Sequence, residues 1–303
     1  MRLICKHVYS HIIARLQMYC FFRTERCFRE IYDAFLLHFR TIGVILSVII
    51  IIHHIMTTLE ICAGSIESVL AAREGGANRV ELCAALEVGG ITPSVGLIAA
   101  AREIQGLKLH VLIRPRGGDF LYDAHEARCM EHDIRLCHDL GIDGVVIGAL
   151  TAEGDVDTSL CRRLVQAAEG MSVTFHRAFD MCRDAHQALE DIIDIGCHRL
   201  LTSGQAASAL EGADAIKQLN AQAAGRLILM PGCGVSSRNA AEILKATGAS
   251  EIHASARHEV GSRMLFRHKG VSMGNQDADE YARKETCASE VRAIAEAIRG
   301  IGQ

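Results

Sequence analysis

The chain is predicted to be a single (β/α)8 barrel of the TIM type over 57–303, preceded by an N-terminal extension over 1–56. Three observations carry this expectation. From Thr57 onward, short apolar strands alternate with longer helical segments through eight strand–helix steps. Glycines stand where the helices should stop, at Gly75-Gly76, Gly141, Gly170 and Gly196. Polar and charged residues gather where strands end and loops begin, which is where barrels of this type place their sites. A doubly wound open sheet shows the same alternation. It would carry a Gly-rich dinucleotide loop after the first strand, and Ala63-Gly64-Ser65 is too short for one.

The elements follow in order. Leu59–Cys62 reads as the first strand, and Ser65 as the N-cap of a helix over Ile66–Glu74. Arg79–Cys83 is the second strand. Pro93 and Ser94 open a helix that runs to about Ile104. Leu107–Ile113 is the third strand, and Ala124–Leu140 the helix after it. Gly144–Ile147 leads to a helix over Asp157–Glu169, and Ser172–Phe175 to one over Asp184–Ile195. Arg199–Leu201 leads to Ser208–Ala223, and Leu227–Met230 to Ser236–Ala246. Glu251–His253 is the eighth strand, and Ser289–Arg299 closes the chain. The stretch from Ala256 to Cys287 has no periodicity and is expected to be a loop over the barrel mouth.

Residues 1–55 differ from the rest. They hold eight of the fourteen aromatic residues, and seven Lys/Arg against three Asp/Glu. The apolar run from Gly43 to Ile52 is too short for a membrane helix, which needs roughly 20 residues. No clean periodicity points to a packed domain. The preferred reading is a translated leader with Met56 as the working start; the alternative is a membrane-associating arm.

The formal net charge is −4 and no basic stripe is present, so nucleic acid is not expected as a partner. The twelve cysteines form no CxxC or zinc-ligand pattern. Most, including Cys129, Cys137, Cys161 and Cys197, read as small buried hydrophobes in a reducing cytosol.

Two segments echo each other. Leu59-Glu60-Ile61-Cys62 and Val80-Glu81-Leu82-Cys83 each read apolar, Glu, apolar, Cys. Residues two apart on a strand share a face, so two acids and two thiols are expected side by side at the ends of neighbouring strands. Two thiols suit a two-coordinate soft ion such as Cu(I) and are too few for structural zinc. Glu60, Glu81, His176 and Asp180 are candidates for proton transfer. Arg114 and Arg116 are candidates for clamping a carboxylate or phosphate. The backbone around Gly232 and Gly234, with Ser255, is a candidate anion cradle, although a tight turn explains those glycines equally. The bland reading is an internal ion-pair network in which Arg114 neutralises Glu60 or Glu81.

Together these stretches resemble the CutC family of copper homeostasis proteins. The resemblance rests on Arg114-Pro115-Arg116-Gly117-Gly118-Asp119-Phe120 and Thr174-Phe175-His176-Arg177-Ala178-Phe179-Asp180. Gly89-Gly90-Ile91-Thr92-Pro93-Ser94 and Val271-Ser272-Met273-Gly274 add to it. It implies a TIM-type barrel, a cytoplasmic location and self-association as a dimer or tetramer. It also implies Cu(I) ligation by Cys62 and Cys83, with Glu60, Glu81, Arg114, Arg116, His176 and Asp180 around the mouth. Cys233 stands where the family has a small residue. Two functions are therefore expected to compete: a Cu(I)-binding protein, or an enzyme acting on a small anionic metabolite at the same mouth. A barrel that has lost its activity and serves as a binding scaffold is a weaker third.

Overall fold

In a computed structural model, residues 57–268, 270–271, 273, 279–299 and 301 are described. The expected leader and Met56 lie outside them. The elements alternate as β1 (Thr58–Ala63), α1 (Ile66–Gly75), β2 (Arg79–Leu82), α2 (Val95–Arg102), β3 (Lys108–Leu112) and α3 (Ala124–Asp139). They continue as β4 (Gly144–Ile147), α4 (Thr158–Ala167), β5 (Ser172–Phe175), α5 (Ala185–Ile195), β6 (Arg199–Thr202) and α6 (Ala213–Ala223). The last steps are β7 (Ile228–Pro231), α7 (Ala240–Thr247), β8 (Glu251–Ala254), a hairpin of β9 (Arg257–Gly261) and β10 (Ala282–Thr286), and α8 (Ala288–Ala297).

Eight strands form one sheet in the order β7-β6-β5-β4-β3-β2-β1-β8, with every ladder parallel. β7 and β8 lie side by side and bring the sheet round into a barrel. The expected (β/α)8 architecture is therefore present.

Local chemistry sets the boundaries. Ser65 caps α1 by accepting from Ser68 N at 3.0 Å, and Gly76 ends it in the left-handed region. Asp123 and Glu126 form a reciprocal capping box on α3. Two helices start later than their serines predicted. Ser208 and Ser236 each open a turn, and α6 and α7 begin at Ala213 and Ala240. The side chains of these serines bond within the turns, to Glu211 and Asn239 respectively.

The stretch from Ala256 to Cys287 is not a plain loop. It contains the antiparallel β9–β10 hairpin. Glu285 on β10 anchors that hairpin to α1 by accepting from Ser65 Oγ and from Ser68 Oγ, the latter at 2.6 Å. Its strands are mostly exposed and show no apolar alternation.

The main core lies between sheet and helices and includes Ile61, Val80, Val111, Ile147, Phe175 and Ile192. Cys137, Cys161 and Cys197 are buried as expected, whereas Cys129 is exposed. Among the described residues no helix is long and apolar enough to cross a membrane.

Candidate metal and anion site at the barrel mouth

The register between β1 and β2 decides which echoed residues meet. Glu60 lies opposite Arg79, and Cys62 opposite Glu81. The two Glu-x-Cys segments are thus offset by two residues, so acid does not face acid and thiol does not face thiol. Barrel closure imposes a stagger between strands, and equal spacing along two sequences does not make equal height in a barrel.

On the other side of β1, Glu60 lies opposite His253 of β8. The three strands thereby turn Glu60, Cys62, Arg79, Glu81 and His253 toward the barrel interior. His253 Nδ1 sits 2.8 Å from Glu60 Oε1, and His253 Nε2 sits 3.7 Å from Glu81 Oε2. One ligand atom each from Cys62, Glu81 and His253 lies within 4.8 Å of the others. Cys83 is outside this trio; its Sγ approaches Glu81 O at 3.6 Å, and it packs with Cys62, Leu112 and Val146.

Charge inside the barrel is partitioned. Burial opposes ionisation of Glu60, yet Arg79 and His253 more than offset it and hold the carboxyl well below the usual range. Burial would likewise depress His253. Contact with Cys62 and Glu60, together with the charge of Glu81, instead holds its imidazole well above its ordinary value. Burial pushes the Glu81 carboxyl up, with Glu60 adding and His253 opposing. Burial, the charge of Glu81 and nearby Cys62 push the Cys83 thiol well up.

Beneath the mouth, Arg79 bridges Glu60 and Glu251, while Arg199 donates through Nε to Glu251 Oε2 at 3.1 Å and through Nη1 to Ser172 Oγ at 2.5 Å. The ion-pair network expected as a bland reading therefore exists, but Arg79 and Arg199 build it rather than Arg114. Arg79 and Arg199 are the first residues of β2 and β6, at the strand ends opposite the mouth.

A cavity of about 320 Å³ opens above the trio. Cys62, Glu81, Cys83, Arg114, His176, Gly234, His253 and Ser255 line it, as do Cys233, Arg177 and Arg257. Arg114 donates through Nη1 to Val88 O and Gly90 O and through Nη2 to Gly118 O, at 2.7–3.0 Å, while its Nε is buried without a partner. His176 accepts from Ala178 N at 3.1 Å through Nδ1, and its buried Nε2 has no partner. A Cβ at Gly232 would sit 2.5 Å from Leu201 Cδ1 and 3.2 Å from His253 Cβ, so a side chain there would displace Leu201.

Four expected site residues stand apart from this cavity lining: Glu60 behind His253, Gly232 in the turn after β7, and Arg116 and Asp180 in loops. Arg116 is committed to Glu126 Oε1 at 2.6 Å, to Asp119 and to Leu121 O, and so organises the loop after β3. Asp180 accepts from Arg177, Thr202 Oγ1, Ser203 N and Oγ, and Gln205 N, which ties the loop after β5 to that after β6. His253 was the residue that sequence reasoning left out of the site. Its position as the last polar residue of the eighth strand was the available signal.

The sequence profile of the CutC family matches residues 57–258. The chain belongs to the CutC family. A CutC family protein of Chromobacterium violaceum is 58% identical over 240 residues, covering 79% of this chain and 97% of that protein. One from Bacteroides thetaiotaomicron is 52% identical over 242 residues, with the same coverage. A crystal structure described as that of a copper homeostasis protein CutC from Streptococcus agalactiae aligns with a TM-score of 0.63 at 35% identity. It covers 65% of this chain and 98% of that one. The family match thus spans all eight barrel strands.

Proposed function

We propose that the barrel mouth captures a copper ion, with Cys62 and His253 as its principal ligands and Glu81 as a third donor. The proximity of Cys62, Glu81 and His253, all within 4.8 Å, carries this reading. Thiolate and imidazole are donors that copper accepts. The Glu60 carboxylate on His253 Nδ1 aims Nε2 at the site, where the metal takes the place of the Nε2 proton, an arrangement found behind metal-binding histidines. The donor set by itself suits zinc as well; the copper homeostasis description of the Streptococcus agalactiae relative favours copper. Cys83, which the resemblance pairs with Cys62, is placed here as a neighbouring thiol that borders the site rather than as the second ligand.

The test is a competition titration of Cu(I) against a chromophoric chelator. Wild type is expected to take up one equivalent, Cys62→Ser to lose it, and Cys83→Ser to keep it. Equal binding by wild type and Cys62→Ser would refute the reading.

A further inference from the structure

The mouth cavity has a second wall that the copper reading leaves unused. His176 follows β5 and is buried, with its backbone N bonded to Ile147 O at 2.8 Å. Gly148 across the ladder makes room for it; a Cβ there would lie 2.4 Å from His176 Cε1. The Ala178 N–H donates to Nδ1, so Nδ1 carries a lone pair and the proton of the neutral ring resides on Nε2. Burial and the charge of Arg114 hold the imidazole down to about 3, so the ring is neutral at physiological pH. Nε2–H is then a buried donor with no acceptor. A buried polar group left in that state is costly, and its persistence asks for a partner.

Arg114 repeats the pattern. Three backbone carbonyls fix its guanidinium, which also lies close to the Tyr122 hydroxyl, and its Nε–H makes no hydrogen bond. Phe120 joins the two residues, with its ring centroid 5.1 Å from that of His176 and 4.9 Å from Arg114 Cζ. The tilted ring contact and the cation over Phe120 hold the wall in place. Arg257 adds a cation to the lining that has no side-chain partner among the described residues.

We propose that the Nε2–H of His176 and the Nε–H of Arg114 are the donors of an oxyanion subsite, which takes the carboxylate or phosphate group of a small metabolite. Both groups only donate, so their partner only accepts. The charge on Arg114 favours an anion, and charge-assisted bonds of this kind are the stronger ones. A cavity of about 320 Å³ is at the lower end for small-molecule sites, which limits the ligand to a compact metabolite. His176 acts here as a fixed donor and not as the general base that its residue type suggested. The inference is independent of the copper reading, because none of its donors belongs to the Cys62–Glu81–His253 trio.

The experiment uses the full chain, freed of metal by chelation, with ¹⁵N-labelled histidine. Imidazole nitrogen shifts are expected to show His176 protonated at Nε2 and bare at Nδ1. Titration with inorganic phosphate, and separately with oxalate, is expected to move the Nε2 resonance saturably for at least one of them. The anion that does so identifies phosphate or carboxylate as the group bound. In calorimetry, His176→Phe is expected to weaken that anion about tenfold, and His176→Gln, which restores an N–H donor, to recover part of the loss. An Nδ1-protonated ring, no saturable shift with either anion, or equal affinity in wild type and His176→Phe would overturn the proposal. The tautomer and titration are read on wild type, so they decide the matter even if the Phe variant does not fold.

Discussion

His253 Nδ1 lies 2.8 Å from Glu60 Oε1, and the same carboxylate accepts from Arg79 through its other oxygen. One buried acid thereby links the ion network in the barrel floor to the candidate metal ligand at its mouth. Glu60→Gln keeps the shape and removes the charge, leaving Arg79 and His253 under-compensated. We expect a loss of about 3 kcal/mol of stability. Because His253 also loses its orienting partner, copper affinity is expected to fall roughly 10- to 100-fold. Denaturant unfolding and chelator competition on the same variant check both effects.

Acid sensitivity follows from two neutral histidines. Burial depresses His110 and His176 from an ordinary value of 6.5 to about 3 each, Arg114 contributing at His176. The unfolded chain takes up both protons near 6.5, whereas the folded chain refuses them until about 3. Their contribution to stability is therefore full above 6.5 and is lost as pH falls from there toward 3, by about 1.4 kcal/mol per pH unit per proton. Unfolding in urea from neutral pH down to about pH 4 should show His176→Gln with a shallower decline than wild type, by up to one proton. Parallel curves would show that His176 is not held neutral.

Cys233 adopts φ of +88° between Gly232 and Gly234. A side chain in that region costs roughly 1–2 kcal/mol, so Cys233→Gly should stabilise the protein by about that amount. Thermal unfolding checks the sign. Copper stoichiometry should be unchanged, since this thiol bonds to Ala207 O and is not in the ligand trio.

Asp180 holds two loops by accepting five hydrogen bonds and is not in the cavity lining. Asp180→Asn keeps the volume but cannot accept from all five. A loss of roughly 2–3 kcal/mol is expected. Copper binding by the folded fraction should be retained, which calorimetry at low temperature checks. Selective loss of ligand binding without loss of stability would place Asp180 in the site chemistry instead.

The fold was legible because it depends on local signals. Gly76 and Gly196 end helices in the left-handed region, and Ser65 and Asp184 cap them, as their residue types suggest. The site was legible only in part. Cys62, Glu81 and His176 could be placed at strand ends by counting, but who faces whom depends on strand stagger. That is why Glu60 pairs with Arg79 and His253 instead of sitting beside Glu81. Arg116 and Asp180 look like site residues in sequence because charged residues in loops near a mouth can bind either a ligand or the loop itself. Only the geometry of Glu126 and Ser203 around them shows the second use.

The most direct measurement is X-ray absorption at the copper edge of the Cu(I)-loaded full chain, with Cys62→Ser as control. One sulfur and one imidazole nitrogen around the copper, with the sulfur lost in the variant, is the predicted result. Two sulfurs with no imidazole, or a wild-type spectrum unchanged by Cys62→Ser, would contradict the Cys62–His253 centre.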